Sequence, residues 1–248
     1  MLTTVLFDMG GTLENIWQNE ETQLYGAQLI RDILERNGIV FDCTTKELAD
    51  SMTKDRTAYR TWRTGTKIEL KPEELWTTYM LSGFDVPKEK IIPIAEELAC
   101  TWEGNNFHRE LREDAKELLE ALKQRGYKIG VVSNNTSRYQ VFNCLEDYGI
   151  RDYMLDVTVS GVVGFAKPHP EIFRIATRQI QSKPEECVYV GDYVQADVVG
   201  SKNAGFGKTV LIQSKMEEAK TYKEDAMEPD IRITELMEII PWLDKING

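Results

Sequence analysis

The sequence is poor in the groups that would build a zinc-thiolate, redox or nucleic-acid-binding protein. Its four cysteines, Cys43, Cys100, Cys144 and Cys187, stand far apart and form no CxxC pair. That spacing supplies neither a zinc site nor a redox dithiol, and reduced thiols in or near a core are the expectation. Positive charge is also scarce: 30 Lys and Arg against 41 Asp and Glu give a formal net charge of -11, with a pI near 4.9. A phosphate backbone is bound by Lys/Arg patches, so no nucleic-acid partner is expected. A small phosphorylated ligand is still compatible, because a few local cations and a metal overcome a global field. Long apolar runs are missing as well. No stretch approaches the roughly 20 residues of a membrane helix, and mean hydropathy is -0.40. The N-terminal MLTTVLFD turns acidic too soon for a secretory leader. A cytoplasmic protein with no membrane association, monomeric or homodimeric, is expected. The two histidines, His108 and His169, read as surface or capping residues rather than catalytic bases.

What is present is ordered in two styles. The 248 residues suffice for one large domain or a core with a smaller companion. Thr3 to Phe7 is a short β-rich apolar run that ends at Asp8 and a turn at Gly10-Gly11. From about Asn19 apolar residues recur at helical spacing (Leu24, Ala27, Ile30, Ile33, Leu34) and stop at Asn37-Gly38. Three further helices are predicted: from Thr44 or Thr45 through Tyr59, from Pro72 to Ser82-Gly83, and from Pro87 to Trp102. Alternation follows. Helices are predicted over 110–125, 137–147, 170–181, 194–204 and 233–245. Strands are predicted over 128–132, 154–157, 187–190 and 209–212. The charged stretch 215–229 reads as a solvated helix or loop. Strands alternating with helices imply an α/β fold with a doubly wound, parallel, Rossmann-like sheet. The strands are nearly all apolar, as expected when both faces are covered. The helical block interrupts the first crossover, so residues 17–105 form an inserted all-helical cap domain. Residues 1–16 and 106–248 form the core. The cap sits over the carboxyl end of the sheet, where open α/β sheets bind ligands.

Four polar clusters fall just past the predicted strand ends: Asp8-Met9-Gly10-Gly11-Thr12-Leu13, Ser133-Asn134-Asn135, Lys167-Pro168-His169-Pro170, and Gly191-Asp192 through Asp197. Singly each is weak; Ser133-Asn134-Asn135, for one, also reads as a helix N-cap. Together they place a hydroxyl, an ammonium and three carboxylates at one edge of one sheet.

This constellation resembles the haloacid-dehalogenase superfamily of aspartate-nucleophile hydrolases. The likeness covers nearly the whole chain, the helical insertion matching the family's cap. The second, third and fourth family motifs are intact as Ser133, Lys167 and Asp192/Asp197. The resemblance implies that Asp8 attacks phosphorus to form an aspartyl-phosphate. Ser133 and Lys167 would hold the phosphoryl oxygens, relieving charge repulsion. Mg²⁺ would be bound by Asp8, the Gly10 carbonyl and Asp192, with octahedral oxygen ligation. Asp197 would stand behind them, holding a metal-bound water or Lys167. Gly11, Thr12 and Asn134 would contact the substrate, with the Gly10 and Gly11 N–H groups forming an anion-binding turn.

The first motif departs from the pattern: Gly10 stands where family phosphatases carry a second Asp, the general acid and base. Such help is worth roughly 10²–10⁴-fold. Four readings follow. One is a slow or atypical Mg²⁺-dependent phosphohydrolase suited to good leaving groups. Another is a phosphonate-type hydrolase using a cap lysine (Lys46, Lys54, Lys67 or Lys71) as a Schiff base. A third is a dehalogenase, whose halide leaves without a proton, although Asp192 and Asp197 point to a metal that dehalogenation does not need. The last is a non-enzyme that retains the fold for binding. The phosphohydrolase reading is preferred, because Asp8, Ser133, Lys167 and Asp192 are all kept. Among the cap aromatics Trp17, Tyr59, Trp62, Trp76 and Trp102, most read as core or hinge; one or two near Arg60 and Arg63 would face substrate. Hinges are expected near 14–19 and 104–109.

Overall fold

A computed structural model describes residues 1–214 and 227–248. Most of the charged stretch predicted as a solvated helix or loop, 215–226, lies outside the described residues. Six strands form one parallel sheet: β1 (Thr4–Phe7), β4 (Lys128–Ser133), β5 (Asp156–Val159), β6 (Cys187–Gly191), β7 (Lys208–Ile212) and β8 (Ile231–Ile233). Their order is β5-β4-β1-β6-β7-β8, every neighbouring pair parallel. The chain fills one side of β1 first and then returns to fill the other. That reversal opens a crevice at the carboxyl ends of β4, β1 and β6.

The sheet is covered on both faces. On one, α6 (Ala115–Gln124), α7 (Gln140–Asp147) and α11 (Ile239–Asn247) pack through Leu118, Leu122, Leu145 and Leu243 onto Val5, Phe7, Val131 and Val190. On the other, α9 (Pro170–Gln179) and α10 (Val199–Ala204) seat Phe173 and Ala204 against Leu6, Val132 and Tyr189.

Between β2 (Glu14–Trp17) and β3 (His108–Leu111) the chain is helical: α1 (Glu20–Arg36), α2 (Thr45–Thr66), α3 (Pro72–Leu75), α4 (Lys88–Ile91) and α5 (Ala95–Asn105). Thr44 and Glu47 close a reciprocal capping box at the start of α2, which satisfies two otherwise orphaned N–H groups. The segment has its own core, in which Ile30, Leu48, Met52, Tyr59, Trp76 and Trp102 are buried together. Trp76 and Trp102 are therefore packing residues; Trp102 also reaches the cavity wall described below.

The structure departs from the sequence-based expectation in places with clear causes. Residues 108–111 belong to a strand, not to a helix starting at 110; β3 pairs antiparallel with β2, Glu14 opposite Leu111 and Trp17 opposite His108. Helix α6 begins only at Ala115. The two segments expected to be hinges are thus hydrogen-bonded to one another. The C-terminal helix starts at Ile239 rather than 233, because Ile231–Ile233 joins the sheet beside β7. Three residues are too few for a period-2 pattern to register. The third and fourth inserted helices are broken: α3 runs into a π-turn at Trp76–Met80, and Pro93 lies in a 3₁₀ turn between α4 and α5.

Candidate active site

Asp8 follows β1, Ser133 ends β4 and Asp192 follows β6, so three adjacent strands deliver them to one crevice. Lys167 arrives differently. A short helix, α8 (Ser160–Val163), separates it from β5, so it does not sit directly past a strand end. Its ammonium is buried, with three partners: Asp8 Oδ1 at 2.7 Å, Asp197 Oδ1 at 2.8 Å and the Tyr189 hydroxyl at 2.9 Å. Tyr189 in turn donates to the Val132 carbonyl at 2.9 Å. Three N–H donors meet three acceptors, which fixes the ammonium in place. Burial alone pushes the Lys167 pKa down, but Asp197 and Asp8 outweigh it and hold the group charged.

Asp8 Oδ1 also accepts the Met9 N–H at 2.7 Å. Burial pushes the Asp8 carboxyl upward, opposed by Lys167 and reinforced by Asp197 and Asp192; the net direction is above the usual carboxylate range. Carboxylate oxygens of Asp8, Asp192 and Asp197 lie within 4.8 Å of one another. One ammonium does not balance three carboxylates at that spacing, and a divalent cation would. Asp197 is committed elsewhere, one oxygen on Lys167 and the other accepting the Tyr193 N–H at 2.9 Å. Each of the three carboxylates could offer one oxygen to a metal.

The Gly11 backbone has φ +87, and a Cβ there would meet Asp192 Oδ2 at 2.1 Å. Only glycine brings the first loop this close to the Asp192 carboxylate. The Gly11 N–H, expected to bind anions, instead donates to the Glu14 carbonyl at 2.8 Å. Thr12 is fully buried and lies outside the cavity lining, so it is not placed to touch a substrate. Asn134 is likewise occupied: its Oδ1 accepts the Lys167 N–H at 2.7 Å and its Nδ2 donates to the Lys167 carbonyl at 3.1 Å. It positions Lys167 while its edge borders the cavity. His169 accepts the Glu171 N–H and caps α9, and His108 packs against Trp17 with ring centroids 4.0 Å apart and planes tilted by 40°.

A cavity of about 440 Å³ contains Asp8, Gly10, Ser133, Lys167 and Asp192 in its wall. Above it a second, of about 780 Å³, lies against the helical segment. None of Lys46, Lys54, Lys67 or Lys71 lines either one, so none of the four is placed for a Schiff base. A Cβ on Gly10 would find ordinary contacts, Ile16 at 3.5 Å and Glu14 Oε1 at 3.7 Å. The Glu14 carboxylate is fully buried there, paired with Arg109 and accepting the Tyr148 hydroxyl at 2.8 Å. Sequence reasoning missed Glu14, Arg109, Arg56 and Tyr189. The partners of Tyr189 and Glu14 are 22 to 134 positions away, a separation that local patterns do not report.

The helical segment is tied to the core by Glu103 to Thr136 (2.9 Å), Glu96 to Ser137 (2.6 Å), Glu73 to Arg138 (2.6 Å) and Glu69 to Ser160 (2.7 Å).

A parallel sheet with an acid-rich crevice at its switch point is the architecture of an α/β protein that binds its ligand at the carboxyl end of the strands. Residues 2–205 match the haloacid dehalogenase-like hydrolase family, and the chain belongs to it. It is 34% identical over 137 residues to the glyceraldehyde 3-phosphate phosphatase of Pyrococcus furiosus, covering 54% of this chain and 55% of that one. The match therefore spans about half the length of that relative. It is 34% identical over 160 residues to pyrophosphatase PpaX of Bacillus mycoides, 62% of this chain and 72% of that one. In fold it is similar to the 2-haloacid dehalogenase of Pseudomonas syringae, with a TM-score of 0.67 at 19% identity over 99% of both chains. No helix among the described residues is long and apolar enough to cross a membrane.

Proposed function

We propose that this hydrolase is a Mg²⁺-dependent phosphohydrolase that acts on a small phosphorylated molecule through Asp8. The observation that carries the reading is the charge imbalance at the crevice: Asp8, Asp192 and Asp197 within 4.8 Å, against the single ammonium of Lys167. Such a site accepts a divalent cation and then a phosphate. Phosphatases and pyrophosphatases among the sequence relatives support the same reaction class.

Asp8 attacks phosphorus, the ester P–O bond breaks, and an aspartyl-phosphate forms. Attack by water then releases inorganic phosphate and restores the carboxylate. The positive charge of Lys167, its donors on Asp8, Asp197 and Tyr189, offsets charge that develops on the equatorial oxygens, and the Ser133 hydroxyl donates to one of them. Asp197 and Tyr189 hold Lys167, and Asn134 fixes its backbone. Mg²⁺, held by Asp8, Asp192 and the Gly10 carbonyl, would supply the charge neutralisation that lets a carboxylate approach a phosphate. With glycine at position 10 no carboxylate there protonates the leaving oxygen, so substrates with good leaving groups, acyl or aryl phosphates, are favoured. The helical segment acts as a cap over the crevice and excludes water.

Release of phosphate from p-nitrophenyl phosphate and acetyl phosphate, with and without Mg²⁺, compared with Asp8→Asn, tests the reading. Turnover that needs both the metal and Asp8 is expected. No such turnover across a broad phosphate panel would leave a fold kept for binding alone.

A further inference from the structure

Above the catalytic crevice, α2 turns three arginines toward the site. Arg56, Arg60 and Arg63 follow at i, i+4 and i+7, one face of a helix. Met52 and Tyr59, beside them on the same helix, are buried in the segment's own core, and the Arg63 guanidinium lies over the Tyr59 ring at 5.9 Å. Arg109 from β3 stands nearby, and the Phe107 ring lies between Arg56 (4.8 Å) and Arg109 (5.6 Å).

Their charge balance is uneven. Arg109 pairs with Glu14, Arg63 with Glu69 at 3.1 Å and Arg56 with Glu103 at 3.5 Å. Three carboxylates serve four guanidinium groups, and Arg60 has no ion pair among the described residues. It is exposed, and it lines both the 440 Å³ catalytic cavity and the 780 Å³ cavity above it. Arg56 Nη1 is buried with no protein partner and lies in the wall of both cavities. The upper cavity also carries the unpartnered buried groups Asn15 Oδ1, Trp102 Nε1 and the Asn106 side-chain amide. Burial pushes the Arg56 pKa down, and mutual repulsion from Arg60, Arg63 and Arg109 adds to that against the pull of Glu103. An added anion would relieve this repulsion. Guanidinium groups bind carboxylates and phosphates with paired N–H donors.

We infer that the substrate is a phosphate ester whose leaving group carries a second anion, a carboxylate or another phosphate, held by Arg60 and Arg56 in the upper cavity. The inference rests on the phosphohydrolase reading and narrows its substrate class. Catalysis uses Asp8, Ser133 and Lys167 on the first phosphate; the arginines bind the far end of the molecule and orient it.

The test uses the full-length protein with Mg²⁺ and two matched pairs. One pair is 3-phosphoglycerate against sn-glycerol 3-phosphate, which differ by a carboxylate. The other is fructose 1,6-bisphosphate against fructose 6-phosphate, which differ by a phosphate. In at least one pair the doubly anionic member is expected to have a kcat/KM at least about tenfold higher, the scale of one charge-assisted contact. The pair that shows the preference names the second anion. In Arg60→Gln that ratio is expected to fall toward one; Arg60 is exposed, so the substitution leaves the packing intact. Ratios near one in both pairs, or a preference that survives Arg60→Gln, overturn the inference while phosphohydrolase activity stands. If no member of either pair is turned over, titration calorimetry on Asp8→Asn protein reads the same ratios as dissociation constants. A binding preference lost in Asp8→Asn/Arg60→Gln then supports the anion site even though the reaction has failed. Equal binding of both members overturns it.

Discussion

The side chain of Asn134 pairs with both backbone polar groups of Lys167, accepting its N–H at 2.7 Å and donating to its carbonyl at 3.1 Å. A residue at the end of one strand thus acts as the pairing partner of a loop that belongs to no strand. The ammonium of that lysine is already locked on three acceptors, so backbone and side chain are both fixed before any substrate arrives. Preorganisation of this kind removes reorganisation from the reacting step.

Asn134→Ala is expected to cost about 1–3 kcal/mol of stability, because it leaves two partly buried backbone groups without partners. Turnover should fall by roughly 10–100-fold as Lys167 shifts from its position over Asp8. Urea denaturation and steady-state kinetics on the same preparation check both. Unchanged kinetics in a destabilised variant would show that the clamp serves folding only.

Magnesium is expected to stabilise the folded protein, because the carboxylates that would hold it converge only there. At a free concentration about 100-fold above the dissociation constant, the gain is about 2.7 kcal/mol. Thermal unfolding with added Mg²⁺ and then with a chelator reads it. Asp192→Asn should abolish most of the shift. A wild-type transition that ignores Mg²⁺ would contradict the proposed site.

Gly10→Asp places a carboxylate in a space where its Cβ meets only Ile16 at 3.5 Å and Glu14 at 3.7 Å, so the fold should accept it. Hydrolysis of alkyl phosphates is expected to rise by roughly 10²-fold or more. Hydrolysis of p-nitrophenyl phosphate should change less, since nitrophenolate leaves with little protonation. Comparing the two substrates in one variant separates proton donation from a general change in the site. Equal effects on both would show that the missing acid is not the limit.

Acid should loosen the tie between the helical segment and the core. Burial pushes Glu103 up, but Arg56, Arg109 and the Thr136 hydroxyl outweigh it, so its folded pKa lies below the ordinary 4.5. A depressed carboxylate contributes stability that is fully present above that ordinary value and is lost as pH falls through the folded one. Wild-type protein is expected to lose unfolding free energy below about pH 4.5 more steeply than Glu103→Gln. Denaturation midpoints across that range decide it; parallel curves would count against the assignment.

The sheet was legible in the sequence because buried parallel strands are continuous apolar runs, and Val188-Tyr189-Val190 or Val131-Val132 fit nothing else. The meeting of Asp8, Ser133, Lys167 and Asp192 in one crevice was legible because each stands in a short, ordered motif. Three-residue β8 and the strand pair at 14–17 and 108–111 were not, since each is recognisable only by its partner. The local bonding of the expected substrate contacts was hidden for a related reason. Thr12, Gly11 and Asn134 are the right residue types at the right place, but their polar groups or their burial commit them to the protein itself. Glu14 and Arg109 meet across 95 positions, and no local pattern announces that encounter.

The β2–β3 ribbon has a consequence for how such a chain can change over time. Because Trp17 faces His108 across the pair, the chain leaves the sheet domain and re-enters it at a single seam. Seen from the core, everything between those two residues is a loop closing a hairpin. The helical block is therefore spliced into the chain at one place, yet it leans on the core elsewhere: the Ala166 N–H donates to the Lys67 carbonyl at 3.0 Å, so a rewritten block must still meet the loop that carries Lys167.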